Sequence, residues 1–189
     1  MTDAKRLQFS LGPVQGFIAQ GRRTRDLWSG SYLLSYLSGC AMAGVRRGGG
    51  RISVPDVRKD LRKDLLLQWI AAGGDGPGEP PRIGTLPNKF EAEIPDTVSV
   101  EDAAKMAVDG INTAWNRIAL TVWDRYLGRI AEECGKGTEE IWNRQVRNFW
   151  EISWIAGDSG DMEARKNWRI YRNRERYTPT IEGGDHCTI

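Results

Sequence analysis

Leu7, Phe9 and Leu11 alternate with Gln8 and Ser10, and this period of two predicts a half-buried strand over residues 6–11. Gly12 permits a turn, and Pro13 suits the first position of a helix whose short apolar stripe is Val14, Phe17 and Ile18. From about Ser31 a second helical pattern sets in, with Leu33, Leu37, Cys40, Ala41 and Gly44 roughly in register until Gly48-Gly-Gly50 ends it. Ile52 and Val54 mark a short strand over 51–54. Asp56 is placed to cap a helix with Val57, Leu61, Leu65 and Trp69 at spacings of four, closed by Gly73. The Gly- and Pro-rich run from Gly73 to Pro81 predicts a mobile loop. Phe90, Ala92 and Ile94 alternate with Lys89, Glu91 and Glu93, predicting a third strand over 89–94.

Ser99 and Asp102 have the spacing of a capping box. They open a predicted helix of some thirty residues with Ala104, Ala107, Ile111, Trp115, Ile118, Val122, Tyr126 and Ile130 on one face, closed by Gly135 and Gly137. Thr138 is expected to cap a short helix carrying Glu139 and Glu140 in its first turn, where carboxylates suit the helix dipole. Trp150, Ile152, Trp154 and Ala156 form the apolar side of a fourth strand over 149–156. The order strand, helix, strand, strand, helix, strand is a βαββαβ, ferredoxin-like plan of the α+β class. Strands with one polar face suit an antiparallel sheet covered by long helices on one side.

Composition narrows the class. The 189 residues suffice for one domain or about one and a half, and eight Trp suggest a core built from large rings. A net charge of +2 permits an RNA partner without requiring one. No run of about 18 apolar residues occurs, so no membrane span is expected, and no apolar secretory block opens the chain. Cys40, Cys134 and Cys187 are widely spaced, which suits a reducing, cytoplasmic setting better than a disulfide framework.

A strand feeding a helix N-terminus leaves backbone N–H groups free, a candidate phosphate site. Arg22, Arg23, Arg25, Asp26, Trp28, Ser29 and Ser31 follow at once. They read either as a helix surface with an ion pair of little worth or as a docking or nucleotide-facing edge, since Arg clamps phosphates bidentately. Asn88 follows a Pro and either satisfies turn backbone or makes a contact. Arg165, Lys166, Arg169, Arg172, Arg174 and Arg176 interleave with Trp168, Tyr171 and Tyr177, either as a surface helix or strap or as an RNA contact.

The segment Phe9–Ser31 resembles the signature of the large, palm-containing subunit of type III-B (Cmr-type) CRISPR effector complexes. Leu86-Pro-Asn-Lys-Phe90, Ile141–Trp154, Ala164–Arg169 and Gly184-Asp-His-Cys187 match in order, so the resemblance covers nearly the whole chain. It implies a palm over 1–157, followed over 158–189 by a basic connecting segment and the start of a zinc finger. In that family two palms face each other across an ATP pocket, and the second, bearing Gly-Gly-Asp-Asp, makes cyclic oligoadenylate when target RNA is bound.

This chain looks like the first palm alone, which implies one wall of the ATP pocket, with Ser10, Gly12, Gln15 and Gly16 near a triphosphate. The implied partners are the other effector subunits and, through the complex, guide and target RNA. Arg22, Arg23, Arg25, Trp28, Asn88, Arg165, Lys166 and Arg169 are the candidate interface or RNA contacts. Catalysis by this chain alone is not expected. Strand one ends in Ser10-Leu11-Gly12 with no acid, Gly-Gly-Asp-Asp is absent, and Asp56, Glu91 and Glu93 read as ordinary solvated acids. A single His, His186, does not make an HD nuclease site, and no metal is expected. Cys187 is a zinc ligand only in a longer protein, because one Cys with one His does not complete a four-ligand site. The competing readings are a free-standing RNA-binding module using 165–176 and an autonomous cyclase or nuclease.

Overall fold

The computed structural model describes residues 5–56, 64–74, 79–131, 133, 135–147 and 149–157. Four strands form one sheet: β1 (Lys5–Gly12), β2 (Arg51–Val54), β3 (Lys89–Ile94) and β4 (Glu151–Gly157). Their order is β2-β3-β1-β4, and every neighbouring pair is antiparallel. The two central strands are therefore β3 and β1; the β1–β2 and β3–β4 connections each pass over one intervening strand, whereas β2 and β3 are neighbours. Among the described residues, six helical segments accompany the sheet: α1 (Val14–Ile18), α2 (Thr24–Arg47), α3 (Leu65–Ala71), α4 (Val100–Val122), α5 (Gly128–Ala131) and α6 (Thr138–Arg147). A π-helical turn, Trp123–Leu127, joins α4 to α5.

Strand alternation decides which face is covered. Leu7, Phe9 and Leu11 are buried together with Phe90, Ala92 and Ile94, against α2 and α4. Phe9 lies opposite both Phe90 and Trp154, and the Phe9 and Phe90 rings stack with centroids 5.0 Å apart. Arg6, Gln8, Glu91 and Glu93 fall on the other, polar face, where Arg51 pairs with Glu93. Trp154 has the predicted orientation but is 37% exposed, because β4 is an edge strand that the helices only partly cover.

The central helices α2 and α4 touch through small residues. A Cβ at Gly44 would strike the Met106 carbonyl and come within 2.9 Å of Ala107 Cα. One at Gly110 would lie 2.5 Å from the Cys40 carbonyl oxygen. Glycine at these two positions lets the backbones approach.

Several expected boundaries move. Pro13 is the N-cap of α1, with extended φ −78° and ψ 125°, not its first helical residue. α2 starts at Thr24 rather than near Ser31, because the Asp26 carboxylate accepts the Arg23 N–H at 3.1 Å and caps the earlier turn. The helix expected from Asp56 is described only from Leu65, where Asp64 accepts the Leu67 N–H at 2.9 Å; residues 57–63 lie outside the described residues. Leu66 and Leu67 are buried there while Leu65 is 61% exposed, so Leu65 does not lie on the packed face.

Ser99 caps α4 as expected, accepting the Asp102 N–H at 3.2 Å. The apolar stripe of α4 leaves the core after Ala119, and Tyr126 and Ile130 are exposed where the π turn shifts the helical register. Thr138 is the first residue of α6 and not its cap, since its hydroxyl donates to the Gly135 carbonyl at 3.0 Å.

Candidate functional site

The polar turn after β1 is held from two sides. On one side, the Leu11 N–H donates to the Asn88 carbonyl at 2.9 Å, and Asn88 Nδ2 donates to the Leu11 carbonyl at 3.0 Å. On the other, Phe17 of α1 sits against Phe149 and Trp150 with ring centroids 5.6 and 5.1 Å away, and both of these rings meet Trp115 of α4. A five-residue helix does not hold its own place, so these anchors do. Its shortness also reduces the dipole available at its N-terminus.

Among the predicted nucleotide contacts, Ser10 is only 7% exposed, Gly12 is half-buried, and Gln15 and Gly16 are exposed. The reachable groups are thus Gly12, Gln15 and Gly16. Neither glycine is required by packing. A Cβ at Gly16 would meet only Pro13 Cβ, at 3.8 Å, and one at Gly12 would meet Glu151 no closer than 3.8 Å.

Asn88 belongs to a segment laid directly on α2. The buried Leu86 N–H donates to Ser35 Oγ at 2.7 Å, Ser38 Oγ donates to the Pro87 carbonyl, and Thr85 Oγ1 donates to Asp64 Oδ2 at 2.7 Å. Leu86-Pro-Asn88 is therefore a strap bonded to Ser35 and Ser38 on one side and to Leu11 on the other. Sequence reasoning misses the two serines, although Ser31, Ser35 and Ser38 recur at helical spacing. Asn88 serves backbone through its amide N–H, the first of its two expected readings.

Arg22, Arg23, Arg25 and Trp28 are all exposed along the start of α2, and Gly30 packs beside Phe17. Trp28 stacks on Tyr32, with centroids 5.6 Å apart. Tyr36, four residues further on, accepts from Arg117 Nη2 at 2.8 Å and lies 6.3 Å from the Trp69 ring. Burial raises the pKa of both tyrosines above the ordinary value. Trp28, Tyr32 and Tyr36 recur at spacings of four, the signal by which this row of rings could have been read from the sequence. Arg165, Lys166, Arg169, His186 and Cys187 lie outside the described residues. Among the described residues, no three His, Cys, Asp or Glu side chains converge as a metal site.

These features define a mixed α/β domain with one helix-covered sheet face, one polar face and an anchored polar turn at the end of a central strand. The family model described as CRISPR-associated protein Cmr2, N-terminal, matches residues 6–120, and the chain belongs to that family. It is accordingly a region of a type III-B CRISPR effector subunit, a component of a multisubunit complex. No curated protein matches the chain. No helix among the described residues is long and apolar enough to cross a membrane.

Proposed function

We propose that residues 1–157 are the first, ferredoxin-like palm of the large effector subunit, and that 158–189 form a basic connecting segment ending in the start of a zinc finger. In this reading the β1–α1 turn forms one wall of an ATP pocket completed by a second palm. The strand order β2-β3-β1-β4 supports the palm reading, because it is the order that two interleaved βαβ units produce.

The observation that carries the ATP reading is Gly16. Its neighbourhood has room for a side chain, yet the residue is a glycine beside exposed backbone at the end of a central strand. A glycine that packing does not require is suited to the close approach of a ligand to the main chain. Val14, Gln15 and Gly16 offer the triphosphate backbone N–H groups, and Gln15 also its side-chain amide, beside Gly12. The exposed α2 start, Arg22 to Ser31, serves docking to neighbouring subunits. Without the opposite palm the turn binds ATP weakly, and the chain alone is inactive.

The test is Gly16→Leu in the two-palm protein. Reduced ATP affinity with an unchanged thermal melt is expected. Unchanged affinity in a folded variant would make the turn purely structural.

A further inference from the structure

The two edges of the sheet are built differently. β2 is four residues long, its register against β3 shifts between Ile52 and Val54, Arg51 opens it and Pro55 follows it. Shortness, an irregular register, a charge and a proline are devices by which edge strands resist further pairing. β4 lacks them over most of its length. It runs for seven residues, Glu151–Gly157, in unbroken register with β1, and Ile152 to Gly157 contains neither a charge nor a proline. Among the described residues β4 pairs with β1 alone, and no described strand takes the alternate N–H and C=O groups along its outer edge. Trp154, at its midpoint, is 37% exposed. The family match ends at residue 120, so β4 lies outside it.

We propose that β4 pairs with β4 of a second copy of this chain, antiparallel and about a two-fold axis at Trp154, which joins the two sheets into one. Such a contact is isologous: where one residue meets another, the reverse pair also forms. Centring the register on Trp154 pairs every residue of the strand. Trp154 meets its own counterpart, Ser153 meets Ile155, Ile152 meets Ala156 and Glu151 meets Gly157. The faces stay in phase, because Ile152, Trp154 and Ala156 lie opposite Leu11, Phe9 and Leu7 on the helix-covered side of both sheets. The one charge, Glu151, faces a glycine, so no like charges are opposed. Moving the centre to Ser153 or Ile155 leaves residues at one end of each strand unpaired. Placing it between two residues sets core-facing side chains against outward-facing ones. This self-complementarity favours a second copy over an unrelated strand. One strand pair buries less than a standard protein interface, so the dimer is weak and concentration-dependent.

The test is sedimentation equilibrium of the full chain over a range of concentrations, and a monomer–dimer equilibrium is expected. Trp154→Lys and Trp154→Glu each set like charges face to face at the axis, and each alone is expected to weaken dimerisation about tenfold. Mixed in equal amounts, the two variants should dimerise again, since opposite charges then meet. That rescue requires Trp154 to lie opposite its counterpart. Val54→Lys, at an exposed position on the other edge, should leave the equilibrium unchanged.

A wild-type chain that stays monomeric up to about 1 mM overturns the proposal. A dimer that survives both Trp154 variants overturns it, as does a mixture no more associated than its components. Loss of the dimer through Val54→Lys moves the contact to β2 and overturns it too. Should the Trp154 variants misfold, hydrogen exchange of the wild-type chain decides. Exchange at β4 amides that slows as concentration rises supports the pairing. Protection that is the same at every concentration assigns the edge to another segment of the same chain, and lack of protection at every concentration leaves it to a foreign strand; either removes the proposal.

Discussion

Asn88 and Leu11 grip each other in both directions, with N–H···O distances of 2.9 and 3.0 Å. The first bond carries the β1–β3 pairing one residue past its regular register, and the second commits the Asn88 side chain to the strand end. Asn88→Ala leaves the Leu11 carbonyl without that donor. A loss of about 1 kcal/mol in stability is expected, within the range for one partly buried hydrogen bond. Hydrogen exchange should quicken at the Leu11 amide before it does at Leu7. Unchanged exchange at Leu11 would show that the pair does not hold the turn.

Ser35 is the sharper case, because its partner is buried. Ser35→Ala removes the acceptor of the Leu86 N–H and leaves an unsatisfied donor against α2. The expected cost is about 2 kcal/mol, read from urea unfolding. Arg51→Ala should cost less than about 1 kcal/mol, because its ion pair with Glu93 is substantially exposed. A reversed ranking would refute this assignment of the strap.

Two glycines should behave in opposite ways. Gly44→Ala drives a methyl into the backbone of Met106 and Ala107, so α2 and α4 must separate. A loss of about 3 kcal/mol is expected from such overpacking. Gly16→Ala meets no close neighbour and relieves a helix glycine, so it should be neutral or raise stability by up to about 1 kcal/mol. Thermal melts of the two variants check both signs.

Cys40 should set part of the alkaline limit. Burial pushes its thiol up from 9.0 to about 11, outweighing the lowering by the Tyr36 hydrogen bond and by Arg117 and Arg47. The fold therefore favours the neutral thiol. That stabilisation is complete below about pH 9 and is lost as pH rises toward about 11. Cys40→Ala should make the alkaline decline shallower without removing it, because burial moves Tyr32 and Tyr36 in the same direction. Identical pH–stability slopes for the two chains would contradict this.

The central strands are legible because a period of two survives in both of them. Leu7 to Leu11 and Phe90 to Ile94 each alternate cleanly, and the sheet uses that alternation directly. Helix starts are less legible. Asp26 and Asp64 act as caps through single carboxylate–amide bonds, and nothing in apolar spacing separates them from other surface acids. The anchored turn is half legible. Its polar run stands out in sequence, whereas its two anchors come from distant positions: Asn88 is 77 residues from Leu11, and Phe149 and Trp150 come from the far end of the fold. Ser35 and Ser38 look like ordinary helix residues until the strap is laid across them.

The position of β1 has a temporal consequence during synthesis. It leaves the ribosome before the other three strands, but its ladder partners begin at Lys89 on one side and Glu151 on the other. Pairings this far apart in sequence close slowly. The earliest strand is thus the last to be fully enclosed, and the β1–α1 turn stays unanchored until Phe149 and Trp150 arrive beside Phe17. Nascent chains arrested before residue 149 should be cut by protease near Gly16, and chains extended well past Gly157 should resist. The turn then takes its final place only when nearly all of the domain has been made, so a chain cut short in translation never presents it.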